Sequence, residues 1–144
     1  MAIPKHVSTY ILDAGLNYYH GLATRVLHVV KNYTLADSYA TAVAASSGGG
    51  RSLGSVACTS PGGVQQGAGT APKVPRYVTT VPSGTITVAS GNTANGVSDD
   101  LGIVVVDTAA SRILLSTDLT PDSSIDPGNI LTVSNFTLTF NQPT

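Results

Sequence analysis

From residue 101 onward, apolar positions fall in blocks separated by turn-forming residues. Leu101-Gly102-Ile103-Val104-Val105-Val106-Asp107 runs into Thr108-Ala109-Ala110-Ser111, and Arg112-Ile113-Leu114-Leu115-Ser116-Thr117 follows. A polar stretch from Pro121 to Asn129 separates these from Ile130 to Phe140. This pattern predicts three strands, a tight turn and a polar loop. In the last run the apolar positions are Leu131, Val133, Phe136, Leu138 and Phe140. The period slips between Val133 and Phe136, which predicts a bulge or bend near Ser134-Asn135. Upstream, Tyr77 to Val81 and Thr85 to Ala89 read as strands around a Pro82-Ser83-Gly84 turn. In the second, Ile86 and Val88 share one side and the threonines the other, the alternation of a half-buried strand. Residues 90–100 carry Gly91, Asn92 and Asn95-Gly96, which is turn chemistry.

The N-terminal half is less regular. Over residues 8–22, Ile11, Leu12, Leu16, Tyr19 and Leu22 recur at three- and four-residue spacing, which predicts a helix. Ser8 or Thr9 is its N-cap and Gly21 its stop. Gly15 weakens it by about 1 kcal/mol relative to alanine, so it must pack its apolar stripe on a sheet face. Residues 24–31 are rich in β-branched side chains with imperfect alternation, as in a strand buried on both faces. Residues 34–45 fit either a short Ala-rich helical turn or a meandering loop. Residues 46–75 are Gly-rich, with a short strand over Ser52 to Cys58. Two readings fit this segment: a flexible surface loop, or an extended arm that orders against a neighbouring subunit. The expectation is one mainly β domain over residues 1–144. It would be an antiparallel sandwich or barrel of about six to seven short strands with one N-terminal α-helix. Residues 1–7 would be a tail and residues 76–140 the β core.

Composition adds one point about the surface. Only 10% of the residues are charged, all eight acidic residues are Asp, and there is no Glu or Trp. The formal net charge is −1, with no basic patch for nucleic acid. So little charge gives weak protection against association, which points to a surface partly covered by other chains. No apolar run approaches the roughly 20 residues of a membrane helix. Met1 to His6 lacks the apolar core and small-residue site of a secretory leader, so folding in a cytoplasm is expected.

The search for chemistry yields little. His6 falls in the expected tail, His20 at a helix end and His28 within a strand, none beside an evident nucleophile. Cys58 is the lone cysteine, expected as a small buried or half-buried residue. No His or Cys pair has metal-ligand spacing. Asp118, Asp122 and Asp126, with Asn129, form an oxygen-rich loop but lack EF-hand spacing and read as turns. Asp99-Asp100 reads as a solvated turn. Tyr18, Tyr19 and Tyr33 fit a core or a subunit interface better than a sugar platform. No catalytic residue, cofactor or metal is expected.

Three stretches carry a resemblance. Ile11-Leu12-Asp13-Ala14-Gly15-Leu16-Asn17-Tyr18, leading into Ala23-Thr24-Arg25-Val26, resembles the opening of small virion structural proteins of tailed bacteriophages. Leu101 to Asp107 with Ser111-Arg112-Ile113-Leu114 looks like their hairpin of a hydrophobic run, Asp, short turn and Ser-Arg-Leu-Leu. Gly128-Asn129 followed by a strand and Asn141-Gln142-Pro143-Thr144 is similar to their ending. The Gly-rich segment over residues 46–70 departs from that pattern. The resemblance implies a non-enzymatic virion protein, foremost a capsid decoration (cement) protein. Its expected partners are the major capsid protein and further copies of itself, as dimer or trimer, with no nucleic acid or membrane. The expected contact residues are Ile3, Tyr10, Tyr18, Tyr19, Arg51, Val64 and Arg76. A head–tail or tail accessory protein and a carbohydrate-binding β module for host recognition are the alternatives.

Overall fold

The computed structural model describes residues 3, 6–7, 22–58, 65–66, 76–81 and 83–141. The helix expected over residues 8–22 lies outside the described residues apart from Leu22. The described chain is mainly β. In order, the strands are β1 (His6–Val7), β2 (Arg25–Lys31), β3 (Ser52–Ala57), β4 (Gln65–Gln66), β5 (Arg76–Val81) and β6 (Gly84–Thr87). They continue with β7 (Leu101–Asp107), β8 (Arg112–Asp118), β9 (Ile130–Val133) and β10 (Phe136–Asn141). One short helix, α1 (Tyr39–Val43), interrupts them. All strand pairings are antiparallel.

The principal sheet has the order β1-β8-β7-β2-β3. All seven residues of β7 are buried, which explains an unbroken β-branched run from Ile103 to Val106 rather than an alternating one. One face of this sheet contributes Leu27, Val29, Ile103, Val105 and Leu115 to the larger core, which Ile86, Val88, Ile125 and Val133 complete from the other side. The opposite face carries Val30, Val104 and Val106, covered by Ile3, Tyr33 and Ala42 of α1. Ser38 starts α1 by accepting the Thr41 amide on its hydroxyl (3.1 Å), an N-cap that settles the ambiguous 34–45 stretch as a helical turn.

The remaining strands form a three-stranded sheet, β10-β5-β4, and a two-stranded one, β6-β9, which follow one another as a bent ladder. β6 pairs with β9 and β5 with β10. Gly84 lies opposite Val133 and Val81 opposite Phe136, so the register is unchanged across the interruption. The irregularity expected at Ser134-Asn135 is thus a bend and not a bulge, since no extra residue enters either strand. The bend lets Phe136 pack against the same core as Leu131 despite the slip in period. β6 crosses close over β3. A Cβ on Gly54 would collide with the Ile86 side chain, and one on Gly84 with that of Val56, so the crossing leaves room for no side chain at either glycine.

Two expectations about surface segments are corrected. Residues 1–7 include a sheet edge instead of forming a free tail: His6 and Val7 pair with Ser116 and Leu115, and the Ile3 amide donates to Asp118 Oδ1 (2.9 Å). The front of the Gly-rich segment belongs to the body. The Arg51 amide donates to Thr41 O (3.0 Å), Ser52 N to Ala44 O (2.9 Å), and β3 buries Leu53 completely. The short strand expected over Ser52 to Cys58 is there, as the sheet's outer strand.

Candidate interaction site

Between the β7–β8 end of the principal sheet and β9 lies an open cleft of about 920 Å³. Its floor is apolar: Val29, Leu101, Ile103, Ile125, Val133 and Phe136. Its rim carries hydroxyls and amides, among them Thr120, Ser123, Ser124, Asn129 and Asn135. Among the described residues, Asp118 is the one charged residue lining it. Its carboxylate is already engaged, Oδ1 accepting the Ile3 amide and Oδ2 the Thr120 hydroxyl (both 2.9 Å). The rim loop is tied down at three points. Asp122 Oδ1 accepts the Leu101 amide (2.8 Å), Leu119 N donates to Leu101 O (3.0 Å), and Ile125 exchanges both backbone hydrogen bonds with Ala94 (2.9 Å each). Asp118 and Asp122 of this loop therefore hold backbone. Asp118 and Asp122 cap different amides, while the Asp126 amide donates to Asn129 Oδ1 (2.9 Å), and no group of three metal-ligating side chains occurs among the described residues.

Beside the rim, residues 95–99 form a loop closed on itself. Asn95 N donates to Asp99 Oδ2 (2.9 Å), Val97 N to Asn95 Oδ1 (3.0 Å), and Asp99 N to Asn95 O (2.8 Å). Asp99 also accepts from Asn32 Nδ2 (2.7 Å) and Lys31 Nζ (3.3 Å). These donors, the Asn95 amide foremost, hold its carboxyl below the usual range against the opposing effect of burial. Asp99 is thus a structural anchor and no loose surface charge. The loop presents Val97 with 97% of its surface in solvent, and Ile130 across the cleft is 69% exposed. Neither was among the expected contact residues. The signal for Val97 was present: a lone apolar residue inside Asn95-Gly96-Val97-Ser98-Asp99, where everything else forms turns.

The expected contact residues scatter. Tyr10, Tyr18, Tyr19 and Val64 lie outside the described residues. Arg76 stands on β5 opposite Asn141. Ile3 is corrected: it is 3% exposed and packs against Gly102 and the α1-side core, so it serves the fold. Arg51 forms a two-pronged pair with Asp37, Nε to Oδ2 (3.0 Å) and Nη2 to Oδ1 (3.1 Å), which makes it a brace between α1's approach and β3. Burial alone would raise the Asp37 carboxyl, but Arg51 and the Thr34 amide hold it below its usual range. Tyr33 is a core residue, and burial, with Asp37 nearby, pushes its phenol above the ordinary value.

His28, Ser52 and Cys58 are also structural. His28 Nδ1 and Ser52 Oγ lie 2.9 Å apart on adjacent strands, both buried, and neither lines the cleft. Burial lowers the imidazole to about 4, so it is neutral at physiological pH. Burial pushes the Cys58 thiol up to about 11, and its carbonyl accepts from Arg25 Nη2 (3.4 Å). A thiol so placed is a packing group and a poor nucleophile. Among the described residues, no helix is long and apolar enough to cross a membrane. Compared with known protein families, curated proteins and solved structures, the chain has no match.

Proposed function

We propose that this chain is a bacteriophage virion structural protein without enzymatic activity: a capsid decoration (cement) protein that binds the outer capsid and stabilises joints between subunits. One observation carries the reading. Asp37, Asp99, Asp118 and Asp122 each hold a backbone amide, while large apolar side chains stand in solvent at Val97, Ile130 and Leu35. An internally braced body with few charges on its surface has little protection against association, which suits contact with other chains. The low charge of the sequence and its resemblance to small phage virion proteins support the same reading. Within it, the principal sheet and the bent β5–β6/β9–β10 ladder are the two layers of an open sandwich, splayed at the cleft. Capsid symmetry repeats the binding site, so modest affinity per copy suffices, and self-association lets one oligomer grip several subunits.

Quantitative mass spectrometry of purified virions tests it. Abundance on the order of hundreds of copies per particle, as symmetry-repeated decoration requires, supports the proposal. A handful of copies moves the protein to a head–tail or tail position. Absence from the particle overturns the virion reading.

A further inference from the structure

We propose that Asn95-Gly96 is a spontaneous modification site kept latent by the neighbouring loop. Asn95 survives while Ser124 holds the Gly96 amide, and release of that contact converts it to aspartate or isoaspartate. The sequence supplies the chemistry. Asn95-Gly96 is the one Asn-Gly pair in the chain; tyrosine, threonine, isoleucine, phenylalanine or glutamine follows every other asparagine. Only glycine leaves the following nitrogen unshielded by a Cβ. Asn95 is also exposed, so water reaches its carboxamide.

The reaction consumes only water. The Gly96 nitrogen gives up its proton to hydroxide and bonds to Asn95 Cγ. The Cγ–Nδ2 bond then breaks, and the leaving nitrogen takes a proton from water and departs as ammonia, which leaves a five-membered succinimide. Water opens that ring at one carbonyl to give aspartate. At the other it gives isoaspartate, with the main chain rerouted through the side-chain carbon.

The loop primes the electrophile and locks the nucleophile. Asn95 Oδ1 accepts the Val97 amide (3.0 Å), a donor placed where negative charge develops as Cγ is attacked. The proton that must leave is committed elsewhere, since Gly96 N donates to Ser124 Oγ (3.1 Å). The backbone at Gly96 is also hemmed in: a Cβ there would lie 2.8 Å from the Ser123 carbonyl carbon and the Ser124 nitrogen. Asn95 N donates to Asp99 Oδ2 (2.9 Å), so a carboxylate on the preceding amide disfavours a second negative charge on the Gly96 nitrogen. Among these hydrogen bonds, the one to Ser124 acts on the reacting nitrogen itself and comes from outside the loop, which makes it the latch. Either product adds one negative charge beside Asp99 to a chain of formal net charge −1, and the iso form lengthens the backbone of a closed turn. The site is independent of the capsid reading, since its chemistry needs the protein alone.

The test is incubation of the full chain at mildly alkaline pH, with peptide mass spectrometry locating aspartate and isoaspartate and the other asparagines as internal controls. Ser124→Ala, with unchanged circular dichroism, should deamidate at Asn95 on the order of fivefold faster than the native wild type, the rate equivalent of one lost hydrogen bond. The wild type unfolded in urea should react faster still. Ser123→Ala, which leaves the Gly96 acceptor in place, should keep the wild-type rate. A native wild type that deamidates as fast as the unfolded chain overturns the proposal, and so does a folded Ser124→Ala at the wild-type rate. Equal acceleration in Ser123→Ala overturns it too, by tracing the effect to general loosening of the two loops. Hydrogen exchange reads the latch without any substitution: the Gly96 amide should be protected in the native protein, and exchange at the unprotected rate overturns the assignment.

Discussion

The Gly96 amide donates to the Ser124 hydroxyl (3.1 Å), joining the loop that presents Val97 to the rim of the apolar cleft. A Cβ on Gly96 would lie 2.8 Å from the Ser123 carbonyl carbon and the Ser124 nitrogen, so the two loops touch backbone to backbone. Gly96→Val should therefore push the loops apart and cost about 1–3 kcal/mol by overpacking. Ser124→Ala, which removes only the hydrogen bond, should cost about 0.5–1.5 kcal/mol. Urea unfolding of both variants checks the order, and equal effects would mean that the contact between the loops is loose.

Asn92 is buried and satisfies both ends of its amide. Its Oδ1 accepts the Ser47 amide (3.0 Å) and its Nδ2 donates to Leu53 O (3.1 Å), linking the Gly-rich turn to β3. Asn92→Ala should destabilise the protein by about 1–3 kcal/mol, because it leaves the buried Leu53 carbonyl without a partner and removes the acceptor of the Ser47 amide. Denaturant titration measures this. A loss below half a kcal/mol would show that water reaches both groups.

His28 makes stability depend on pH in a defined direction. Its folded value of about 4 lies below the ordinary 6.5, so between these values the unfolded chain binds the extra proton. The stability is complete above about pH 6.5, falls as pH drops, and levels off near pH 4, a total of roughly 3 kcal/mol. In His28→Gln, which keeps a polar partner for Ser52, this slope should largely disappear over the same window. Asp37 and Asp99, held below their usual range, lose their contribution only at lower pH. Unfolding free energies at pH 7.5, 5.5 and 4.5 separate the two effects, and an unchanged slope in the variant would assign it to other groups.

Arg51 and Asp37 form a half-buried pair with two hydrogen bonds. Arg51→Ala should cost about 1–2 kcal/mol, more than an exposed ion pair, and should leave self-association unchanged. Thermal unfolding and sedimentation of the same sample decide it. A stable variant with impaired association would return Arg51 to the contact surface first expected for it.

Much of the β framework was legible because strand blocks and turn formers alternate clearly. Residues 24–31, 101–107, 112–117 and 130–140 carry β-branched or alternating apolar side chains between Gly, Pro, Asn and Asp clusters; the first three hold one strand each and the last holds two, β9 and β10. The interruption at Ser134-Asn135 was visible in the period, though its retained register was not, since that depends on the partner strand. The crossing of β3 and β6 was hidden because two glycines thirty residues apart, Gly54 and Gly84, carry no periodic signal. Ile3 misled for a similar reason: one isoleucine in a short polar lead gives no pattern, and its burial depends on Gly102, a hundred residues away. The cleft is a product of layer geometry, assembled from Val29, Ile103, Ile125 and Val133 on four separate segments.

Co-sedimentation of the purified protein with phage capsids that lack it, counting bound copies at saturation, tests the decoration role most directly. The account predicts saturable binding at a symmetry-related number, on the order of hundreds per particle. It also predicts capsids that withstand more heating once coated. No binding to such capsids, or binding at a few sites with no gain in their stability, would contradict it.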